Sequence, residues 1–116
     1  MDKQPSENQI RELWEWCGWE QTTNGFYAHP SIASAEYYHY ESGGKLPPID
    51  LNNLFKYAVP KVSHAEVATG CFAGQTGNFR AQVKTNPPQL YERWSSASAE
   101  TPALALFWAI MEVING

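Results

Sequence analysis

Residues 62–85, VSHAEVATGCFAGQTGNFRAQVKT, contain two runs in which apolar and polar side chains alternate. The turn-forming segment of residues 74–77, GQTG, lies between them. Successive side chains of a strand point to opposite faces of a sheet, so this alternation predicts an antiparallel hairpin with one apolar and one polar face. The predicted apolar face consists of Ala65, Val67, Thr69, Cys71, Phe79, Ala81, Val83 and Thr85.

The polar face of the predicted hairpin collects His64, Glu66, Arg80, Gln82 and Lys84. Complementary cross-strand pairs are one explanation, and each contributes about 0.2–1 kcal/mol. A ligand-facing patch is the other explanation, because Arg and Lys side chains form strong charge-assisted hydrogen bonds to anionic groups. Both explanations stay open at this point.

Two helices are predicted on either side of a long irregular segment. Ser6 and Gln9 have the spacing of a capping box, and an apolar stripe at i, i+3, i+4 and i+7 follows in Ile10, Leu13, Trp14 and Cys17. Asp50 is predicted to cap the second helix, which ends near Pro60. Its predicted stripe consists of Leu51, Leu54, Phe55 and Ala58.

A third helix is predicted after Thr101, whose hydroxyl is a good N-cap, with Pro102 at the first helical position. The segment ALALFWAIMEVI is apolar nearly all round and contains Glu112 as its one charge. Such a helix is buried on more than one side, either between layers of one chain or under a second subunit. We therefore expect a homo-oligomer formed through the helix between Pro102 and Ile114.

A short hairpin is predicted around Asn24-Gly25, since both residues accept positive φ at low cost. Residues 89–100 are predicted to be a connection. The resulting order is α-β-β-α-β-β-α, and hairpins imply mainly antiparallel strands that the helices cover. At 116 residues the chain is predicted to be one domain, residues 1–116, an α+β protein with a small layered sandwich.

Composition argues against several classes of protein. The formal net charge is −4, whereas binding to a nucleic-acid polymer requires neutralisation of many phosphates. Two cysteines fit a reduced compartment, and the polar N-terminal residues contain no signal-peptide pattern. The longest apolar run is shorter than the ~20 residues that span a bilayer. These features predict a cytoplasmic, soluble protein without a membrane partner.

Aromatic residues are concentrated in the polar segment HPSIASAEYYHYESGGK, residues 29–45. Aromatics with polar groups are favoured where one side of a residue is dry and the other makes a directed contact. The predicted ligand-binding residues are Tyr37, Tyr38, His39, Tyr40, Arg80, Lys84, Arg93 and Trp94. A protein–protein surface and simple packing of a long loop on the sheet are the alternatives.

No catalytic, metal-binding or cofactor motif accompanies these aromatics. The three histidines are far apart in sequence, and the two cysteines do not form a C-x-x-C pair. Cys17 and Cys71 both lie on predicted apolar faces and are expected to be buried. We therefore expect neither a metal nor a cofactor and favour a binding protein over an enzyme, with a small hydrolase using His39 or His64 as an alternative.

The segments LNNLFKYAVPKV, residues 51–62, and ETPALALFWAIMEVI, residues 100–114, together with the order of elements, resemble the phage ABA sandwich domain family. The resemblance implies a phage or prophage source. It implies no catalytic residues. Small acidic proteins from phage genomes often antagonise host defences by binding, so a phage source leads us to expect a counter-defence protein that sequesters a small nucleotide-derived immune signal or inhibits a host defence protein directly.

Overall fold

A computed structural model describes residues 4–21, 27–29, 46–85 and 94–115. The predicted Asn24-Gly25 turn lies outside these residues. The predicted site residues Tyr37, Tyr38, His39, Tyr40 and Arg93 also lie outside them.

The first helix, α1, spans Glu7–Trp16 and begins at the predicted capping box. The Ser6 hydroxyl accepts from the Gln9 backbone N–H at 3.1 Å, and the Gln9 side chain accepts from the Ser6 N–H at 2.9 Å. Leu13 and Trp14 on the predicted stripe are buried, and the Trp14 indole donates to the Pro47 carbonyl at 2.9 Å. This bond ties α1 to the chain that leads into the second helix.

A two-stranded antiparallel ladder follows α1, with β1 at Glu20–Gln21 and β2 at Tyr27–Ala28. Trp19, which precedes β1, is only 1% exposed. Its ring centroid lies 5.3 Å from that of His29 and 5.1 Å from that of Tyr57. The short ladder is thus anchored to the core by an aromatic cluster rather than by its own length.

The second helix, α2, contains an α-helical turn at Leu51–Asn53, a π-helical turn at Leu54–Ala58 and a 3₁₀ turn at Val59–Lys61. Asp50 caps it as predicted, since its carboxylate accepts from the Asn53 N–H at 2.8 Å.

The predicted apolar stripe of α2 is partly wrong. Phe55 is 45% exposed, whereas Tyr57, placed off the stripe by the sequence, is 8% exposed. The Val59 N–H bonds to the Leu54 carbonyl, five residues back, and this wider turn changes which side chains face the core.

The main sheet has three antiparallel strands in the order β3-β4-β5, namely β3 at His64–Thr69, β4 at Phe79–Lys84 and β5 at Trp94–Ala99. The hairpin of β3 and β4 was predicted, whereas β5 lies in a segment predicted to be a connection. The small residues of β5 carry little strand propensity of their own. They form a strand because they pair with β4 along its whole length.

Cys71 is exposed, which corrects its predicted place on the apolar face. Strand β3 ends at Thr69, and Gly70 adopts a φ of +95°, a conformation that favours glycine and turns the chain out of the strand. Cys17, in contrast, is buried as predicted.

The last helix, α3, spans Pro102–Asn115, and the Thr101 hydroxyl accepts from the Leu104 N–H at 3.2 Å. It packs against β3, β4 and β5 and also against α1 and α2. Its buried residues are Leu104, Ala105, Leu106, Phe107, Ala109, Ile110 and Met111. The apolar character of α3 is therefore explained by burial within one chain, and the homo-oligomer stays a prediction that this helix does not require.

The protein is thus a mixed α+β structure with a three-stranded antiparallel sheet and three helical segments among its described residues. None of the helices in residues 4–21, 46–85 and 94–115 is long and apolar enough to cross a membrane.

Candidate functional site on the polar sheet face

One face of the main sheet packs on α3, and the other, which we call the polar face, carries most of the polar side chains of the three strands. Directly paired residues of antiparallel strands share a face, so the register divides the polar face into three rows. The rows are His64–Lys84–Trp94, Glu66–Gln82–Ser96 and Ala68–Arg80–Ser98. On the opposite face, Ala81 and Val83 of β4 are buried.

The first row forms an aromatic–cation cluster around Trp94. Trp94 is 51% exposed, an unusual state for a large aromatic residue on a sheet. The Lys84 Nζ lies 5.5 Å from the centroid of its ring, within cation–π range. The His64 ring lies 5.8 Å from the Trp94 ring in an edge-on arrangement. An exposed indole flanked by a cation and an imidazole is thus held at this end of the face.

In the third row, Arg80 and Ser98 form hydrogen bonds to the backbone and so stabilise the fold. The Arg80 Nη1 donates to the Thr69 carbonyl at 2.7 Å, and the Ser98 hydroxyl accepts from the Phe72 backbone N–H at 3.0 Å. Both bonds hold the chain that leaves β3 against the sheet. Gly70 permits this arrangement, because a Cβ there would lie 2.9 Å from the Arg80 Nη1.

Between these ends, a cavity of about 280 Å³ is lined by Glu66, Val67, Ala68, Arg80 and Gln82. This volume is close to the lower end of the range of about 300–1,000 Å³ that is common for small-molecule sites. The Glu66 carboxylate lies 3.3 Å from the His64 Nε2, an exposed pair of the kind that contributes at most about 1 kcal/mol. The middle row therefore offers a carboxylate, an amide and a hydroxyl beside the aromatic cluster.

The structure places three of the predicted site residues, Arg80, Lys84 and Trp94, on this one face. The predicted ligand-binding residues include neither Ser96 nor His64, although His64 belongs to the polar patch of the predicted hairpin, and both lie on this face. The sequence did not predict β5, and the position of Trp94 depends on that strand. Once Trp94 is the first residue of a strand paired with β4, its position opposite Lys84 follows from the register.

Two observations on the described residues concern the Cys17 thiol and possible metal ligands. Burial raises the pKa of the Cys17 thiol to about 12, with Lys61 opposing that rise, so the thiol is protonated at neutral pH. Cys71 is exposed but lies beyond the end of β3. Within residues 4–21, 27–29, 46–85 and 94–115, no three His, Cys, Asp or Glu side chains come together as metal ligands.

Fold and site together define a small α+β protein with an exposed aromatic–cation cluster on the face of an antiparallel sheet that lies opposite α3. Comparison of the chain with protein-family models, with curated proteins and with solved structures finds no match. The case for a function therefore rests on the residues of the polar face.

Proposed function

We propose that the protein is a non-enzymatic binding protein whose polar face captures a small ligand that joins an aromatic ring to an anionic group. Nucleotide-derived molecules belong to this chemical class. The observation that carries the proposal is the half-exposed Trp94 ring with the Lys84 ammonium 5.5 Å from its centroid.

Stacking on an aromatic side chain is a general way to bind a base, and each stacked base contributes about 1–3 kcal/mol. A base stacked on Trp94 would place its phosphate groups within reach of the Lys84 ammonium, which acts as a point charge for phosphate. The Glu66 carboxylate and Gln82 amide of the neighbouring row would supply hydrogen-bond partners for the polar edge of the ring.

The predicted Tyr-rich segment belongs to the same proposal. Tyr37, Tyr38, His39, Tyr40 and Arg93 are expected to contribute further aromatic and cationic contacts to the ligand. Arg80 is expected to contribute less than Lys84, because one of its N–H groups donates to the Thr69 carbonyl.

The biological role in the proposal follows the resemblance to the phage ABA sandwich domain family, including its layered arrangement of helices and sheet. A phage protein in the host cytoplasm that sequesters a nucleotide-derived immune signal would act as a counter-defence factor. Sequestration requires tight binding and no turnover, which agrees with a face that holds an exposed indole and a lysine rather than an activated nucleophile.

Native mass spectrometry of the protein purified from a bacterial host is the first test, followed by analysis of the small molecules released on denaturation. We expect a retained molecule with a nucleobase and phosphate, released intact. Release of a hydrolysed product would favour the small-hydrolase alternative, which predicts loss of turnover in His64→Ala and His39→Ala.

Variants of the first row test whether the ligand binds at the proposed place. We expect Trp94→Ala and Lys84→Ala each to weaken binding about tenfold or more, as measured by calorimetry with the released ligand or with a panel of mononucleotides and cyclic dinucleotides. The matched control is Lys61→Ala, since the Lys61 Nζ also lies 5.5 Å from an indole centroid, that of Trp16, away from the polar face. Tyr38→Ala tests the contribution of the Tyr-rich segment.

Two results would contradict the proposal. Equal losses in Lys61→Ala and Lys84→Ala would point to a general charge effect rather than a site. An empty protein that binds none of the nucleotides would favour the alternative of a protein inhibitor, which a pull-down from host lysate would then examine.

A further inference from the structure

The outer edge of β5 forms a second recess, a groove of about 530 Å³. Its floor is the continuous stretch of residues 96–100. One wall is the turn of residues 74–76, and the other is formed by Trp108 and Glu112 of α3. Five residues of extended chain measure about 16 Å. The groove is therefore elongated and runs along most of β5.

Backbone groups of β5 are directed into this groove. The Gly70 N–H donates to the Asn78 carbonyl, so the even-numbered residues of β4 direct their backbone groups towards β3. The odd-numbered residues then bond to β5 through Ser95, Ala97 and Ala99. By alternation, the N–H and C=O groups of Ser96 and Ser98 point away from β4, and among the described strands none pairs with this edge.

The two edges of the sheet differ in how they are protected. Edge strands commonly discourage pairing with other chains through charged side chains, and β3 carries the His64–Glu66 pair. The central residues of β5, SSASA, are small and uncharged, so nothing in them obstructs the approach of another strand.

The charge of the groove indicates which kind of strand it would accept. Its described lining contains two carboxylates, those of Glu100 and Glu112, and no Lys, Arg or His. The Glu100 carboxylate accepts from the Asn78 amide at 2.9 Å, while Glu112 lies exposed on α3. A second copy of the chain would bring the same two carboxylates and no matching cation, whereas a basic segment would complement them.

We propose that the edge of β5 is a docking site for an extended, basic segment of a partner protein, which adds to the sheet as a fourth strand. Backbone hydrogen bonds to Ser96 and Ser98 would provide the pairing, and Lys or Arg side chains would meet Glu112 and Glu100. This site goes beyond the small-ligand site of the polar face, since it uses the edge of the sheet and a different class of partner.

A synthetic heptapeptide of alternating lysine and valine, labelled with a fluorophore, is the probe for this proposal. We expect saturable binding by fluorescence anisotropy that weakens with added salt. A peptide of the same sequence with N-methyl groups on all of its backbone amide nitrogens has no N–H to donate to the edge strand and is expected to bind at least several-fold more weakly. A glutamate–valine peptide is expected not to bind.

Glu112→Lys is the variant that tests the groove, and Glu15→Lys is its matched control. Both positions are exposed glutamates near the C-terminal end of a helix, where a lysine is compatible with the helix dipole, so both variants should fold. Glu112→Lys is expected to weaken binding of the lysine–valine peptide several-fold, and Glu15→Lys to leave it unchanged.

Four outcomes would overturn the proposal. The first is that the lysine–valine peptide fails to bind, and the second is that the N-methylated peptide binds as tightly as the unmodified one. The third is that Glu112→Lys and Glu15→Lys lose the same affinity for the lysine–valine peptide. A concentration-dependent dimer that the peptide dissociates would also overturn it, because the groove would then belong to a second copy of the chain.

Discussion

The two ends of the polar face carry similar residues and use them differently. At one end, Arg80 and Ser98 bond to the backbone of the chain that leaves β3, at the Thr69 carbonyl and the Phe72 N–H. At the other end, Lys84 flanks Trp94, an indole that is 51% exposed. Arg80 and Lys84 lie on the same strand and the same face, about 13 Å apart along β4.

This difference shows that the outward position of a cation on a sheet does not by itself indicate a ligand site. Arg80 faces outward by its register on β4, and its guanidinium donates to the Thr69 carbonyl where β3 ends in a glycine turn. Lys84 lies beside an aromatic surface that no strand covers among the described residues. The predictions that follow test whether the Arg80 end maintains the fold and the Lys84 end does not.

Gly77 gives the largest expected effect, because it closes the turn between β3 and β4 against β5. Its φ is +133°, and a Cβ there would lie 2.5 Å from the Ala99 carbonyl oxygen. We expect Gly77→Ala to lower the free energy of unfolding by about 2–4 kcal/mol, since the clash with backbone adds to the cost of the positive φ.

The matched control for this substitution is Gly74→Ala in the same turn. Gly74 also has a positive φ, +81°, but nothing lies within 4 Å of its added Cβ. A loss of about 1 kcal/mol is expected from the backbone conformation alone. Urea unfolding followed by circular dichroism measures both values, and equal losses would show that the turn does not depend on contact with Ala99.

Arg80 gives a smaller effect. Arg80→Ala removes a charge-assisted hydrogen bond of 2.7 Å to the Thr69 carbonyl, in a partly solvated position, so we expect a loss of about 1–2 kcal/mol of stability. Lys84→Ala is expected to cost about 0.5 kcal/mol and to act on ligand binding instead. Thermal unfolding and calorimetric binding of both variants give the comparison, and the reverse pattern would assign the ligand to the Arg80 end.

Much of the fold follows from local signals in the sequence. The caps at Ser6, Asp50 and Thr101 and the alternation in the β3–β4 hairpin depend on neighbouring residues only, and the structure contains all of them. The mixed α+β class with an antiparallel sheet follows from these elements, and the sequence predicted it correctly.

The remaining features depend on partners distant in sequence. The small residues of β5 acquire a strand conformation only through pairing with β4, and the exposure of Phe55 depends on a π-helical turn that no residue type indicates. Lys84 lies beside Trp94 because β5 pairs with β4. The sequence therefore predicted both residues as candidates for the site, but it did not predict that they are neighbours. Burial of α3 between the sheet and the other helices accounts for its apolar character, which is one of the two explanations that the sequence allowed, and the homo-oligomer stays a prediction.

Ser98 gives the smallest of the three losses of stability expected at the Arg80 end of the polar face and its turn, after Gly77 and Arg80. Ser98→Ala removes the acceptor of the Phe72 N–H, and because water replaces part of that bond we expect a loss of about 0.5–1 kcal/mol. Ser96→Ala, two residues earlier on the same face, removes no hydrogen bond of the turn and is expected to change stability by less than about 0.5 kcal/mol. Hydrogen exchange at the Phe72 amide measures the effect directly. Faster exchange is expected in Ser98→Ala alone, because of the two hydroxyls only that of Ser98 accepts from the Phe72 N–H. Equal rates in both variants would mean that the contacts of Arg80 and Gly77 hold the turn without it.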